Sequence, residues 1–459
     1  MRSGLKTCLL ATAIAMQAGS AFAAVTAEEA AQLGTTLLPW GAIKAGNADG
    51  SIPEWKGPVK SAKYDPATPG YRPDPFVDEK PLFSIDQSNL EKYADKVPDG
   101  VKALIKKYPS YRLDIYPTHR TANNPDYFNA NAIKNATACK TIENGLKIEG
   151  CVGGTPFPIP KTGSEVMWNR LFKYDAFAME AKAVTTYLVD PKGNVTTNGV
   201  YDFALTYPIF DPARTDLIGA KDYYEKIRLD YWGPARKAGE KLVIHDGVDM
   251  VDVGRRAWSY LPGQRRVKLS PDVAYDTPSP TGGTAATTDD SAVFYGALDR
   301  YDFKLVGKKE MYIPYNAYKA RDHKVCSPET FNTVNHLNPD CMRWELHRVW
   351  VVEATVKEGK RHLYPRRTLY WDEDLPGVGI ADNYDASGAL YRVTHSIPIT
   401  HYEEKGAGHS TDQFVVYDLS NGYYTHQMDV RDGGGWVVTA KPRPDDYFSS
   451  QALAGAGVR

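Results

Sequence analysis

The sequence contains none of the short motifs that mark the common enzyme classes. It has no G-x-S-x-G elbow, phosphate-binding glycine loop, H-E-x-x-H helix or dinucleotide-binding glycine fingerprint, and each of those chemistries needs its residues at a fixed spacing. The ten histidines are scattered, so we predict neither a metal site nor a cofactor. The run Asp372-Glu373-Asp374 is the basis of one alternative, an exported hydrolase with a carboxylate acid and base. A strand that ends in water explains the same run more simply.

A strong excess of charge is also lacking. Lys plus Arg number 55 and Asp plus Glu 56, for a net charge of -1, so a nucleic-acid partner is not predicted.

Arg2 and Lys6 precede an apolar run from Cys8 to Ala18, and Ala21-Phe22-Ala23 fits a cleavage site. We predict a signal peptide over residues 1–23, cleaved after Ala23. No other stretch is long enough for a membrane span, so we expect a mature exported protein that does not cross the membrane.

Cysteine is rare. Apart from Cys8 in the predicted signal peptide, the chain has only Cys139, Cys151, Cys326 and Cys341, which allow three disulfide pairings. We favour Cys139 with Cys151 and Cys326 with Cys341, because both pairs lie in turn-rich segments. Metal ligation is the alternative, but no pair has C-x-x-C spacing and an oxidising compartment disfavours it.

Aromatic residues are abundant, with 30 Tyr, 9 Trp and 14 Phe. They are typical of strands, and they also fit an aromatic-lined cavity. The stretch from Gly254 to Leu269 predicts a hairpin around a Pro262-Gly263 turn. Trp258 and Tyr260 share one face of its first arm, since strand side chains alternate.

Similar hairpins recur, and they predict a mainly β fold with some α-helix. Two arms between residues 177 and 209, and a longer one over 344–356, each carry an apolar side. Amphipathic helices are predicted over 86–97 and 98–108, and a further short helix over 164–172. We expect one domain over residues 24–459, a large curved antiparallel sheet (an unclosed barrel) with amphipathic helices across its concave face. The residues predicted to line an apolar hollow are Phe177, Met179, Tyr201, Phe203, Leu205, Trp258, Tyr260, Trp344, Leu346, Trp350 and Val352.

Two polar stretches are predicted to be in contact with solvent. Residues 276–291 are rich in Thr, Ser, Pro, Gly and Asp, and such a composition is typical of a mobile segment. We interpret them as a surface insertion, with a gate over the cavity as the alternative. His119 and Arg120 follow a short predicted strand and are expected at its solvated end, the alternative being recognition of a charged head group.

Seven stretches spread over nearly the whole mature chain resemble a family of uncharacterised exported proteins of Gram-negative bacteria, a domain of unknown function often described as outer-membrane lipoprotein-sorting-like. They are residues 45–55 (AGNADGSIPEW), 116–121 (YPTHRT), 156–160 with 165–169 (PFPIP, EVMWN), 256–262 (RAWSYLP), 301–316 (YDFKLVGKKEMYIPYN), 370–374 (YWDED) and 384–392 (YDASGALYR). The family is similar to the LolA and LolB lipoprotein carriers.

This resemblance implies an unclosed antiparallel barrel with helices as a lid over an acyl-chain cavity. It implies a periplasmic carrier of a lipid or another hydrophobic molecule, which acts with an inner-membrane exporter and an outer-membrane protein. It brings no catalytic residues. The chain differs from the small carriers in its length and its insertions. A structural adaptor that binds proteins through exposed sheet edges is a further alternative.

Overall fold

The computed structural model describes residues 25–60, 63–403, 407–430 and 434–455. The predicted signal peptide and its cleavage site after Ala23 lie outside these residues. The α-helices are α1 Ala27–Ala30, α2 Asp99–Lys107, α3 Asp126–Ala138, α4 Gly163–Leu171, α5 Pro328–Phe331 and α6 Ser450–Gly455. The strands are β1 Phe83–Ile85, β2 Leu113–Ile115, β3 Lys140–Ile142, β4 Lys147–Glu149, β5 Ala178–Val189, β6 Val195–Thr206, β7 Tyr223–Gly233, β8 Lys241–Gly247, β9 Arg255–Leu261, β10 Arg266–Leu269, β11 Pro278–Ser279, β12 Gly283–Thr287, β13 Tyr301–Pro314, β14 Trp344–Val356, β15 Arg366–Asp372, β16 Gly379–Tyr384, β17 Leu390–Ser396, β18 Ile399–His401, β19 Gly408–Ser410, β20 Phe414–Asp418, β21 Tyr424–Asp429 and β22 Val437–Thr439.

One open sheet of 16 strands dominates the fold. Its order is β1-β2-β14-β15-β16-β17-β20-β21-β5-β6-β7-β8-β9-β10, with β13 beside β14 and β22 beside β5. The pairings are antiparallel except for one parallel contact between Ile115 of β2 and Trp344 of β14. The described strands do not close the sheet into a barrel, so the prediction of a mainly β fold with a large unclosed sheet is confirmed.

The sheet is curved and has apolar side chains on both faces. Strands far apart in its order, β14 to β16 and β5 to β9, contribute to one core cluster, which includes Ala354, Leu369 and Leu229. Intervening residues such as Tyr370 and Ile380 belong to a second cluster. Because successive strand residues point to opposite faces, the two clusters lie on the inner and outer sides of this part of the sheet.

The predicted helices pack on different sides of the sheet. Helix α4 belongs to the inner cluster and contacts β13 and β14. Its first residue, Gly163, lies so close to β13 that a Cβ there would be 2.5 Å from the Phe303 carbonyl oxygen. Helix α2 contacts β16 and β17 through Val101, Leu104 and Ile105, which belong to the outer cluster. The inner face is therefore covered by α4 and the outer face by α2.

Two local predictions need correction. The helix predicted over 86–97 is a 3-10 helix, Leu90–Lys96, because the Asp86 carboxylate accepts a hydrogen bond from the Ser88 backbone N–H and forms a separate turn. In β5 a bulge after Ala181 places Ala183 at φ 50°. The apolar pattern shifts there, so that Val184 joins the inner cluster while Val189 belongs to the outer one.

Both predicted disulfides are present. Cys139 pairs with Cys151 and Cys326 with Cys341, with Cα–Cα distances of 4.4 and 6.0 Å. The first links the C-terminus of α3 to the loop after β4, and the second lies in the segment that covers the outer cluster. Each closes a short loop, which on chain-entropy grounds contributes about 3 kcal/mol.

Candidate functional site

An apolar cavity opens against the inner face of β6, β7 and β8. About 860 Å³ of space in this region is not filled by protein atoms, a volume that includes open solvent at the mouth of the cavity. Alternate residues of the three strands form its wall because strand side chains repeat every two residues. These wall residues are Tyr201, Phe203, Leu205, Ile227, Leu229, Tyr231, Leu242 and Ile244.

Of the eleven residues predicted to line a hollow, the structure places Tyr201, Phe203 and Leu205 in this wall. Met179 and Val352 are buried in the inner cluster, and Trp350 packs against it half-buried. Phe177, also half-buried, directly precedes β5. The other four residues, which lie in other core clusters, are Trp258, Tyr260, Trp344 and Leu346.

Trp258 and Tyr260 point to the opposite side of the sheet from the cavity. They pack with Val243 of β8 and Leu453 of α6, and α6 contacts β8, β9 and β10. Ala257, next to Trp258 in sequence, belongs to the inner cluster. Strand alternation groups the residues of one face but does not say which face is concave, so the sequence could not identify β7 and β8 as the wall.

Residues 276–291 are largely buried and are not a surface insertion. They contain β11, β12 and a short 3-10 helix, Thr288–Asp290, and Ser279, Pro280, Thr281 and Thr288 line the cavity. We call residues 273–295, which face β6 to β8 across the cavity, the cover segment. The polar composition predicted solvent exposure, but the partners of its polar groups lie far away in the sequence.

Two buried aspartates hold the cover segment on the sheet. Asp289 accepts hydrogen bonds from Arg367 Nη1 at 3.1 Å and from His362 Nε2 at 2.9 Å. Asp290 accepts from the Tyr364 hydroxyl at 2.8 Å and from Arg367 Nη2 at 3.3 Å. Burial acts to raise the pKa of Asp289, but Arg367 and His362 hold it below its usual range. The segment is therefore fixed by a buried ion pair to β15.

One end of the cavity is polar. Its wall there includes Arg170, Lys173, Glu225, Arg255 and Asp412. Arg255 donates from Nε and Nη2 to the two oxygens of Asp246 at 2.7 and 3.0 Å. Lys173 pairs with Asp412 at 3.0 Å and also with Asp175. The cavity thus combines a long apolar wall with a short charged end.

Glu225 is the group at this end whose charge changes near neutral pH. Burial raises the pKa of Glu225 to about 7, and the nearby Asp246 contributes in the same direction. Its Oε2 has no hydrogen-bond partner. Because the folded-state pKa lies above that of an unfolded glutamate, the stability linked to this carboxyl is complete at acidic pH and is lost as the pH rises through about 7.

We therefore expect Glu225→Gln to stabilise the protein at alkaline pH. The shift from 4.5 to about 7 corresponds to roughly 3 kcal/mol at pH 8.5, and the gain should be much smaller at pH 5. Urea unfolding at the two pH values measures it, with the exposed turn residue variant Glu358→Gln as the control. A gain of equal size at both pH values would show that ionisation of Glu225 does not weaken the fold.

A second buried polar cluster corrects the predictions for the acidic run and for Arg120. Arg120 donates to both oxygens of Asp374 at 2.7 and 2.8 Å, and Glu373 pairs with Arg348 at 2.9 Å and with Lys308 at 2.6 Å. Asp372 is 1% exposed. The acidic run is therefore not a strand end exposed to water, because cations from three other segments of the chain pair with its carboxylates.

His347 also belongs to this acidic cluster. Its Nε2 lies 3.1 Å from Glu345 and its Nδ1 3.5 Å from Asp372. Burial acts to lower its pKa, but Asp372 and Glu345 raise it to about 9. Both nitrogens therefore face carboxylates, which favour the charged form of the ring and make it an ion-pair partner in place of a base. The ligand atoms of His347, Asp372 and Asp374 lie within 4.8 Å of one another, and His347 and Arg120 already neutralise these two carboxylates.

The same cluster fastens the N-terminal segment to the sheet. Arg348 Nη2 donates to the Ala45 carbonyl at 2.8 Å, and Arg120 Nη1 to the Lys44 carbonyl at 3.0 Å. The cluster lies apart from the cavity, since none of its charged residues belongs to the cavity wall. It is a structural ion network that joins β14, β15 and residues 43–45.

The fold and the cavity together define the class of this protein, which is mainly β with an open sheet that curves around an apolar cavity. Residues 84–454 match the model of a family described as a protein of unknown function, DUF1329, and the chain belongs to this family. An uncharacterised protein of Pseudomonas aeruginosa is 40% identical over 423 residues, which are 90% of each chain. The resemblance predicted from the sequence is thereby confirmed.

Three solved structures are similar to this chain at low identity. A DUF1329 family protein from Desulfovibrio piger is 16% identical, with a TM-score of 0.38 over 61% of this chain and 92% of that one. A putative outer membrane lipoprotein-sorting protein domain from Vibrio parahaemolyticus is 13% identical, with a TM-score of 0.39 over 63% and 97%. A LolA superfamily protein from Nitrosomonas europaea is 12% identical, with a TM-score of 0.35 over 63% and 99%. At this level of similarity, a functional conclusion depends on the cavity itself.

Among the described residues, no helix combines the length and the apolar character that crossing a bilayer requires.

Proposed function

We propose that this protein is a carrier that binds a lipid or another hydrophobic molecule in the cavity between β6–β8 and the cover segment. The observation that supports this proposal is the wall itself, eight apolar or aromatic side chains on three adjacent strands that face an open space. An acyl chain gains about 0.8 kcal/mol for each CH₂ group that it buries. Such a site therefore needs apolar area more than any particular polar contact.

We further propose that the carrier acts in the periplasm, as one domain over residues 24–459. The N-terminal 23 residues have the pattern of a signal peptide, and the two disulfides fit an oxidising compartment. Transfer towards the outer membrane, together with an inner-membrane exporter and an outer-membrane protein, is proposed from the family resemblance.

Equilibrium binding tests the carrier proposal. The protein is purified without detergent, stripped of lipid by unfolding and refolding with its disulfides intact, and titrated with the neutral apolar fluorophore 1-aminoanthracene. We expect saturable binding to one site with an emission shift to the blue, and displacement by long-chain lipids. A refolded protein that neither binds the fluorophore saturably nor takes up any lipid would contradict the proposal.

An adaptor that binds another protein is a second candidate, since β10 ends the described sheet with one edge unpaired. Such an edge is able to accept a further strand. Arg266 and Lys268 lie on this strand, and exposed charges are a common protection of such edges. Crosslinking in intact envelopes separates the candidates, because an adaptor keeps its protein partners when the cavity is filled by a bulky substitution.

A further inference from the structure

Arg170, in the last turn of α4, is a buried cation at the polar end of the cavity. It is 1% exposed. Its Nη2 donates to the Ala292 carbonyl at 2.6 Å, and its guanidinium lies 5.1 Å from the Trp371 ring centre. Its Nε has no hydrogen-bond partner. Among the residues that the structure describes, no carboxylate forms an ion pair with Arg170 within 4.0 Å.

The other cations at this end do have counter-ions. Arg255 is held by both oxygens of Asp246, and Lys173 by Asp175 and Asp412. Arg170 is therefore the one of these three cations without a carboxylate in direct contact, and Asp412 and Glu225 act on it only from a longer distance. A buried charge without a partner destabilises a protein by several kcal/mol, so its presence in a cavity wall is informative.

The position of Arg170 is fixed by the fold. Helix α4 begins with a capping box in which Thr162 and Glu165 satisfy each other's backbone N–H groups. Its residues Val166, Met167 and Leu171 are buried in the inner cluster. Arg170 is thus held on a rigid helix and not on a flexible loop, and a rigid element is suited to present a charge at a constant distance from a ligand.

We propose that the ligand is an amphiphile with a single negative charge, of the fatty-acid carboxylate class, whose head group lies beside Arg170 and whose chain lies along the apolar wall of β6 to β8. This inference rests on the proposed carrier function and specifies its ligand. Arg170 is the cation at this end that no carboxylate contacts, and a planar guanidinium is suited to bind a carboxylate.

Glu225 makes this binding dependent on pH. The charged end contains the carboxylates of Asp175, Asp246, Asp412 and Glu225 and the cations Arg170, Lys173 and Arg255. When Glu225 is ionised there are four negative and three positive charges, and when it is protonated there are three of each. An anionic head group therefore binds best when Glu225 is neutral, and by linkage its binding raises the pKa of Glu225. Affinity for the anion should fall between pH 6 and pH 8.5, whereas affinity for a neutral ligand should not. The groups that act on Glu225 in this region are Arg170, Lys173, Tyr207, Tyr224, Asp246, Tyr295 and Asp412, and Arg255 lines the same end of the cavity.

Competition against 1-aminoanthracene tests the inference. Dodecanoate, methyl dodecanoate, dodecylamine and dodecyl phosphate share one chain and differ in the head group, and all are used below their micellar concentrations. We expect the wild-type protein to bind dodecanoate at least tenfold more tightly than the ester or the amine. Equal binding of acid and ester, or a preference for the amine or the phosphate, would overturn the inference. It would leave the carrier proposal intact, whereas binding of no ligand at all would contradict the carrier proposal first.

Variants of Arg170 separate head-group binding from a purely structural role. Arg170→Met should weaken dodecanoate binding at least tenfold and leave the fluorophore and the ester within twofold, while Arg170→Lys should retain part of the preference. Arg366→Met, an exposed arginine on β15, is the matched control and should change nothing. Equal losses for acid, ester and fluorophore in a folded Arg170→Met protein would show that Arg170 only holds the Ala292 carbonyl, and would overturn the inference. Should Arg170→Met fail to fold, the wild-type preference for acid over ester decides the question.

Discussion

Replacing Ile227 with tryptophan is expected to weaken binding of 1-aminoanthracene at least tenfold. Ile227 lies in the middle of the cavity wall on β7, between Leu205 of β6 and Ile244 of β8. The larger indole would occupy space that the ligand needs, and it would add no charge to the apolar wall. Fluorescence titration of the refolded variant measures the effect, and its urea midpoint shows whether the fold is retained.

The neighbouring residue Lys226 offers a matched control. Its side chain points to the other face, where Nζ pairs with the exposed Asp445 at 3.0 Å. Lys226→Trp introduces the same indole on the same strand outside the cavity, and it should bind the fluorophore within twofold of the wild-type protein. If both variants bind equally well, the ligand does not occupy this cavity, and the carrier proposal loses its structural basis.

Replacing Arg120 with methionine is expected to lower the free energy of unfolding by about 3–5 kcal/mol. The substitution leaves Asp374 as a buried carboxylate without its bidentate partner, and it also removes a cation that lies 3.7 Å from Glu373. Urea unfolding at pH 7 measures the loss. Ligand binding at low urea concentration should persist, because this network lies outside the cavity wall.

A double variant distinguishes a lost ion pair from lost packing. Arg120→Met with Asp374→Leu removes both charges, and we expect it to recover more than half of the stability lost in Arg120→Met alone. Two additive losses would mean that the charges do not interact across the 2.7 and 2.8 Å contacts. That result would contradict the structural role given to the acidic run.

The features that the sequence predicted correctly are those specified by nearby residues. The predicted Pro262-Gly263 turn joins β9 to β10. Helices α2 and α4 lie within about one residue of the predicted ranges. Turn residues, periodicity and short cysteine loops act over a few positions, so they are visible without knowledge of the fold.

The candidate site was predicted only in part, since it depends on contacts between distant segments. Tyr201 and Phe203 were placed in the wall through alternation along β6, but the same rule selected Trp258 on the outer face of β9. The burial of Asp289 depends on Arg367, 78 residues away. That of Asp374 depends on Arg120, 254 residues away. Local composition indicates that such residues are polar but not that a distant partner encloses them.

Identification of a molecule carried by the exported protein tests the central claim most directly. The full chain is exported into the periplasm of a Gram-negative host, purified without detergent, and its intact mass is measured by native mass spectrometry, with solvent extraction to identify what it holds. We predict a fraction of protein with one bound hydrophobic molecule of the carboxylate class, which is reduced in Ile227→Trp and retained in Lys226→Trp. A mass equal to that of the bare chain in every preparation, together with no lipid in the extract, would contradict the account.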